Sequence, residues 1–196
     1  ILIVEDGSRD YEDECKTIQT EQDTGEKIIR YLTQEKLGKS SAGNLALENS
    51  TGEYICFLDD DDLFYPHHIE ELFKTLRDTP SNPAAYSLAW EVHTRSTSTS
   101  SYREEYYEVP RHTRGLFSRK KLAKLNFLPI QSVLFQRELF AKWGGFESSR
   151  EFLEDWDLWL RYSQNAEFTH LPRITSLYRT TADPYQRIER VKLKGR

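Results

Sequence analysis

Four consecutive aspartates, Asp59-Asp60-Asp61-Asp62, end the stretch that begins at Gly52 and runs through Tyr54-Ile55-Cys56-Phe57-Leu58. Carboxylates held side by side repel one another, and a hard divalent cation with oxygen ligands relieves that repulsion. Two other places carry acidic tips: Glu5-Asp6 after Ile1–Val4, and Glu154, Asp155 and Asp157 at the head of the segment Phe152–Tyr162. Acidic residues ahead of a helix also serve as solvated surface or as partners of its dipole. Taken singly, each cluster leaves both readings open.

The surrounding residues show how these tips would be positioned. Tyr54 to Leu58 is unbroken apolar and aromatic sequence, the pattern of a strand covered on both faces, as in parallel sheets. Open α/β sheets bind ligands beyond the carboxyl ends of their strands, which is where the aspartates stand. Pro66 suits the first position of a helix whose Ile69, Leu72, Phe73 and Leu76 fall at i, i+3, i+4 and i+7. Upstream, Ile1–Val4 reads as a strand ending at Glu5-Asp6-Gly7-Ser8, and Asp10 to about Gln22 as a surface helix with Tyr11, Cys15 and Ile18 at helical spacing. Ile28–Leu32 reads as a strand, and Ser40–Asn49 as a helix with Ala42, Leu45 and Ala46 inward. Strand, helix, strand, helix, strand predicts a doubly wound α/β unit.

The second half is less regular. Tyr86, Leu88, Trp90 and Val92 alternate as in a half-exposed strand, and Tyr102–Val109 reads as its returning arm across the polar loop Ser96–Ser101. Leu116–Leu125, with four basic residues, predicts a short surface helix. Pro129–Phe135 predicts a strand, and Arg137–Trp143 a helix stopped by Gly144-Gly145. Leu153, Trp156 and Leu160, with Trp159 or Tyr162, form a helical stripe that assigns both tryptophans to the core. Phe168–Leu171 and Ile174–Arg179 read as closing strands, and Arg187–Arg196 as an exposed basic tail.

The chain of 196 residues fits one domain. Its 27 Lys and Arg against 32 Asp and Glu, a net charge of -5, supply no basic footprint for nucleic acid. Cys15 and Cys56 do not form a disulfide framework, which suits a reducing, cytoplasmic setting. No apolar run reaches the roughly 20 residues that span a bilayer, and no signal peptide is visible; peripheral membrane association and a homo-oligomer stay open. Met is absent, so the sequence reads as opening inside a longer frame. His67 and His68 follow the aspartates closely enough for one to reach a metal, whereas His93, His112 and His170 lack partners at metal-ligand spacing.

Read together, Val4-Glu5-Asp6-Gly7-Ser8, Gly52–Asp62 and Glu154-Asp155-Trp156-Asp157-Leu158-Trp159-Leu160-Arg161 resemble, in order and spacing, the family 2 glycosyltransferases of the GT-A fold. Ser41-Ala42-Gly43-Asn44 and Lys142-Trp143-Gly144-Gly145-Phe146-Glu147 resemble the same family. The resemblance implies an α/β GT-A domain with a mixed, doubly wound sheet: a nucleotide- and metal-binding half at residues 1–79, an acceptor-side half at 80–180, and the tail at 181–196. It implies an inverting transferase using a nucleotide-sugar donor, UDP-linked, with a saccharide or other hydroxyl as acceptor and Mn2+ or Mg2+ as cofactor. Asp6 matches the carboxylate on the base, Asp59 and Asp60 the nucleotide side, Asp61 with Asp59 the metal, and Asp155 the general base. Glu154 and Trp156 fall on the acceptor side.

Several family features are missing. The opening central strand with its Pro-x-Tyr-Asn-like turn is absent, which implies an N-terminally incomplete domain and a gap beside Ile1–Val4. Gly43 stands where many members carry arginine. No Gln-x-x-Arg-Trp motif is found, which together with the absence of a membrane-spanning run speaks against a processive polysaccharide synthase; the family's late histidine after a Tyr-Arg pair is also missing, Tyr178-Arg179 being followed by Thr180-Thr181. Two rivals follow: a non-catalytic recognition or assembly module keeping the fold, and a metal-dependent phosphoryl or nucleotidyl transferase, which no Gly-rich phosphate loop supports.

Overall fold

The computed structural model describes residues 1–7, 10–22, 25, 27–96, 102–149, 152–183 and 185. The polar run at Thr97–Ser101 and the basic tail at Arg187–Arg196 lie outside the described residues. The first half alternates as expected: β1 (Leu2–Asp6), α1 (Glu12–Gln22), β2 (Arg30–Gln34), α2 (Lys39–Asn49) and β3 (Tyr54–Cys56). There follow β4 (Leu63–Phe64), α3 (His68–Asp78), β5 (Ala84–Ser96), β6 (Tyr102–Glu108), α4 (Arg119–Leu122), β7 (Val133–Gln136), α5 (Glu138–Trp143), α6 (Glu154–Tyr162) and β8 (Phe168–Thr181).

The α/β class and the mixture of parallel and antiparallel pairing are as expected, but the sheet is divided. β1 and β2 form a parallel pair of their own, while β3-β7-β5-β8-β4, with β6 on β5, make a six-stranded sheet. Among the described residues β1 pairs only with β2 and β3 only with β7. One edge of each is left without a strand partner where the family resemblance puts a central strand. The expected parallel, doubly covered strand at Tyr54–Leu58 is therefore corrected: β3 is a three-residue, half-buried edge strand running antiparallel to β7. Phe57 leaves it to pack on Phe135 and Phe146, with ring centroids 6.1 and 5.1 Å away.

β5 corrects the half-exposed reading in the opposite direction. It is flanked by β6 and β7 on one side and β8 on the other, and its small residues are buried along with Tyr86 and Val92. Ala85 leaves room for Leu72 and Leu76 of α3; the opposite face holds Leu47 of α2, Leu139 of α5, and Leu158, Trp159 and Tyr162 of α6. Full burial of each large side chain contributes about 1.5–3 kcal/mol. Ile69 and Phe73 stay exposed, because only Leu72 and Leu76 of the expected stripe point under the helix. On α2 the buried apolar position is Leu47. The two expected closing strands are one, β8, whose register shifts opposite Ser87, Leu88 and Ala89; Pro172, without an N–H to donate, stands in this irregular stretch.

Candidate active site

The chain leaves β3 and turns at once, Asp62 N donating to the Asp59 carbonyl at 3.1 Å. This gathers Asp59, Asp61 and Asp62 so that one carboxylate oxygen of each lies within 4.8 Å of the others; Asp60 is exposed and outside the group. Burial pushes the Asp61 carboxyl up, with Asp60 and Asp59 adding to it. Burial likewise pushes Asp62 to about 7, against the Arg179 amide that donates to its Oδ1 at 3.0 Å. Carboxylates that hold their protons this firmly lack positive charge, and a divalent cation on three such oxygens fits the group. Arg179 braces the turn, its guanidinium donating to the Asp61 carbonyl and, at 3.1 Å, to Glu104 Oε1.

A lysine that sequence reasoning missed ties this turn to the acidic helix. Lys39, first residue of α2, places Nζ 2.5 Å from Asp59 Oδ2 and 3.4 Å from Glu154 Oε1. Burial opposes its charge, but Asp59, then Glu154 and Asp155, outweigh that and hold the ammonium above its usual value. Its one signal in sequence was its place beside Gly38 at a helix start. Asp6 joins the same corner. Its Oδ1 accepts from Gln34 Nε2 at 2.7 Å and the Leu37 amide at 2.8 Å, and its Oδ2 from the Gly38 amide at 2.9 Å. Burial works to raise Asp6, yet these donors prevail and hold it below the usual carboxylate range. Three of its roughly four lone-pair sites are thus engaged. Asp6 fixes Gly38, and the next residue spans Asp59 and Glu154.

Asp155 sits in the first turn of α6, after Leu153 in the left-handed region at φ 61, a strained conformation for a branched side chain. Its Oδ1 accepts from the Trp156 amide at 2.7 Å and its Oδ2 from Asn126 Nδ2 at 2.9 Å. Burial, then Glu154, pushes the carboxyl to about 6, near the value that suits a general base at neutral pH. Asp157 does different work: it pairs with Arg161 at 2.9 Å, whose guanidinium also donates to the carbonyls of Trp143 and Gly145. Trp156 turns its indole N–H to the Leu122 carbonyl at 2.6 Å, and Trp159 is buried with its N–H on Leu128.

Two short motifs far apart in sequence prove to be halves of one joint. Asn44 Oδ1 accepts from the Phe146 amide at 2.7 Å, and Asn44 Nδ2 donates to the Phe146 carbonyl at 2.9 Å. A Cβ on Gly43 would stand 2.5 Å from the Phe146 ring, and one on Gly145 2.1 Å from Asn44 Oδ1. Close approach accounts for Gly43, and the joint holds α2, which carries Lys39, near the loop that leads to Glu154 and Asp155.

His68 is removed as a metal ligand. It is wholly buried under Phe64, with Nδ1 2.7 Å from Thr175 Oγ1 and Nε2 3.7 Å from Cys56 Sγ, and burial lowers it to about 4. His93, expected to be without partners, has two: Glu108 Oε1 at 3.0 Å and Glu91 Oε1 at 3.6 Å from Nε2. Two surface clefts, of about 460 Å³ beside α1 and about 340 Å³ beside α5, contain none of the acidic tips. No helix among the described residues is long and apolar enough to cross a membrane.

Residues 1–144 match the family described as Glycosyl transferase family 2. A glycosyltransferase of Rickettsia typhi is 28% identical over 169 residues, covering 83% of this chain and 48% of its own; the chain thus spans about half of that relative. Glycosyltransferase GlyA of Streptococcus pneumoniae is 27% identical over 146 residues, 71% of this chain and 20% of its own. Among solved structures, S. aureus TarS 1–349 in complex with UDP has a TM-score of 0.66 at 16% identity, covering 98% of this chain and 54% of that one. Mannosyltransferase PcManGT from Pyrobaculum calidifontis, in complex with GDP-Man and Mn2+, has a TM-score of 0.61 at 17% identity, covering 95% and 49%. A match running from β1 through α5, on a GT-A fold whose acidic tips meet at one corner, makes this chain a member of glycosyl transferase family 2.

Proposed function

We propose that the chain is an inverting, metal-dependent glycosyltransferase that moves a sugar from a UDP-linked donor to a hydroxyl of a saccharide or other acceptor. The observation that carries this reading is the Gly38-Lys39 corner, where Asp6 holds one residue and the next bridges Asp59 and Glu154. Asp59 and Asp61, joined by Asp62, would hold Mn2+ or Mg2+, whose charge offsets that growing on the departing diphosphate. Asp59 and Asp60 lie toward the nucleotide, and Asp6 toward its base. Lys39 stands where a diphosphate oxygen could replace Asp59 as its partner, supplying the positive charge that Gly43 cannot. The PcManGT complex holds both a nucleotide sugar and Mn2+, and TarS was solved with UDP and with UDP-GlcNAc, which supports the donor class.

Asp155 takes the proton of the acceptor hydroxyl as its oxygen attacks the anomeric carbon from the face opposite the diphosphate. The bond to the diphosphate breaks as the new glycosidic bond forms, and one such displacement inverts the centre. Glu154 and Trp156 line the acceptor side. In this reading residues 1–79 serve the donor and 80–180 the acceptor. The edges of β1 and β3 that have no strand partner among the described residues favour the second reading, a non-catalytic module.

The test is to incubate the protein with Mn2+ and a panel of UDP- and GDP-sugars and to follow release of nucleoside diphosphate. Release from a UDP-sugar, lost in Asp155→Asn while UDP binding is kept, is the expected result. No release from any donor contradicts the proposal and leaves the non-catalytic reading; full turnover by Asp155→Asn removes that residue from the base role.

A further inference from the structure

A second set of metal-type side chains lies on the β5–β6–β8 face, apart from the aspartate turn. Glu91 and His93 are two residues apart on β5 and so share a face; in register, Glu108 of β6 stands opposite Glu91, and Tyr106 opposite His93. His93 is wholly buried, and its Nε2 points between Glu108 Oε1 at 3.0 Å and Glu91 Oε1 at 3.6 Å. One ligand atom from each of the three residues lies within 4.8 Å of the other two.

We propose that Glu91, His93 and Glu108 form a binding site for a divalent first-row cation of the zinc class. Ligand atoms bonded to such an ion at about 2.0–2.1 Å in tetrahedral array stand about 3.3 Å apart, and the two separations from His93 Nε2 bracket that value. Charge points the same way. Two glutamates directly opposite each other on paired strands repel, and a dication between them turns that repulsion into attraction. One imidazole nitrogen with two carboxylate oxygens is a donor set that zinc-class ions take, leaving a fourth position for water.

The neighbours hold the ligands in place. Tyr178 of β8, paired in register with Glu91, donates its hydroxyl to Glu91 Oε2 at 2.9 Å and so aims Oε1 at the site. The Tyr106 ring stacks on the imidazole at 4.0 Å and 14°, fixing its plane. His93 Nδ1 is buried without a partner, so the ring is oriented by Tyr106 and by its Nε2 contacts and not by an acceptor on Nδ1. The Glu108 side chain is about half exposed, which opens a path from solvent. The ion would clamp the hairpin arm β6 to β5 and, through Tyr178, to β8, the strand whose Arg179 braces the aspartate turn.

The test uses the full chain carrying Asp59→Asn and Asp61→Asn, which silences the other acidic group, after removal of metal with EDTA. Titration with Co2+ is expected to give one equivalent with the visible d–d absorption of a four-coordinate ion, displaced by Zn2+. Adding Glu108→Gln, a half-exposed position whose exchange keeps the shape, is expected to weaken Co2+ binding by about 100-fold or more, and Tyr178→Phe by about 10- to 100-fold. Circular dichroism in EDTA reports whether each variant is folded; a folded Glu108→Gln variant that loses the absorption supports the site. Failure of the Asp59→Asn, Asp61→Asn chain to bind Co2+ or Zn2+ overturns it, since His93 alone then bridges the two glutamates. Binding that survives Glu108→Gln unchanged overturns it equally.

Discussion

Replacing Asp155 with asparagine should stabilise the fold at neutral pH while removing its activity. Burial and the neighbouring Glu154 raise its carboxyl from 3.8 to about 6, and a rise of about two units corresponds to about 3 kcal/mol. Because the folded value is above the unfolded one, the folded state binds the extra proton between about pH 4 and pH 6. Stability is therefore lost as pH rises through that window, and at pH 7 the full cost of the buried charge is present. Partial contact with water reduces it to about 1–3 kcal/mol. Asparagine keeps the shape and can still accept from the Trp156 amide, but it sets an N–H against the Asn126 amide, a loss of about 1 kcal/mol. The variant is thus expected to be up to about 2 kcal/mol more stable than the parent at pH 7, with that advantage gone by pH 4, and turnover should fall by about 10²- to 10⁴-fold. Urea unfolding of both proteins from pH 4 to pH 7, beside nucleoside diphosphate release, measures each quantity. A stability difference that does not change with pH would refute the reasoning about burial.

Asn44→Ala removes both bonds to the Phe146 backbone and one to Ser148; a loss of about 2–3 kcal/mol in urea unfolding is expected, and a change under about 0.5 kcal/mol would remove the joint from the account. Gly43→Ala sets a methyl 2.5 Å from the Phe146 ring, so it should cost about 1–3 kcal/mol, and Phe146→Leu in the same chain should recover part of that; an unchanged unfolding midpoint for Gly43→Ala contradicts it. Burial sets Asp62 at about 7, so protons should compete with the cation, and Mn2+ affinity should fall by up to about tenfold per unit below pH 7. Binding that is flat from pH 7.5 to pH 5.5 would exclude Asp62 from the cation group.

Much of the first half was legible in the sequence because its signals are local. Ile1–Val4, the helix from Ser40 and the aspartates after Leu58 carry their periodicity and charge within a few residues. Strand partners are set at long range, where local composition misleads. Tyr54–Leu58 has the composition of a doubly covered strand, but its neighbour is β7, about eighty residues on, and β3 ends up at an edge. Tyr86 to Val92 alternates large with small residues; the small ones are buried too, because α3 packs over Ala85. The same distance hid Lys39, whose partners Asp59 and Glu154 only the fold brings together. His93 was hidden for another reason: Glu91 is close in sequence, but only the β5–β6 register brings Glu108 to the same face. The five motifs were readable singly, but that Asn44 and Phe146 lock together was not.

Calorimetric titration with UDP in the presence of Mn2+ tests most directly whether the aspartate turn holds a cation against a diphosphate. The unaltered protein should bind UDP with Mn2+ and far more weakly in EDTA, and Asp61→Ala should behave in Mn2+ as the unaltered protein does in EDTA. UDP binding of equal strength with and without the cation, or binding that Asp61→Ala leaves intact, would contradict the account.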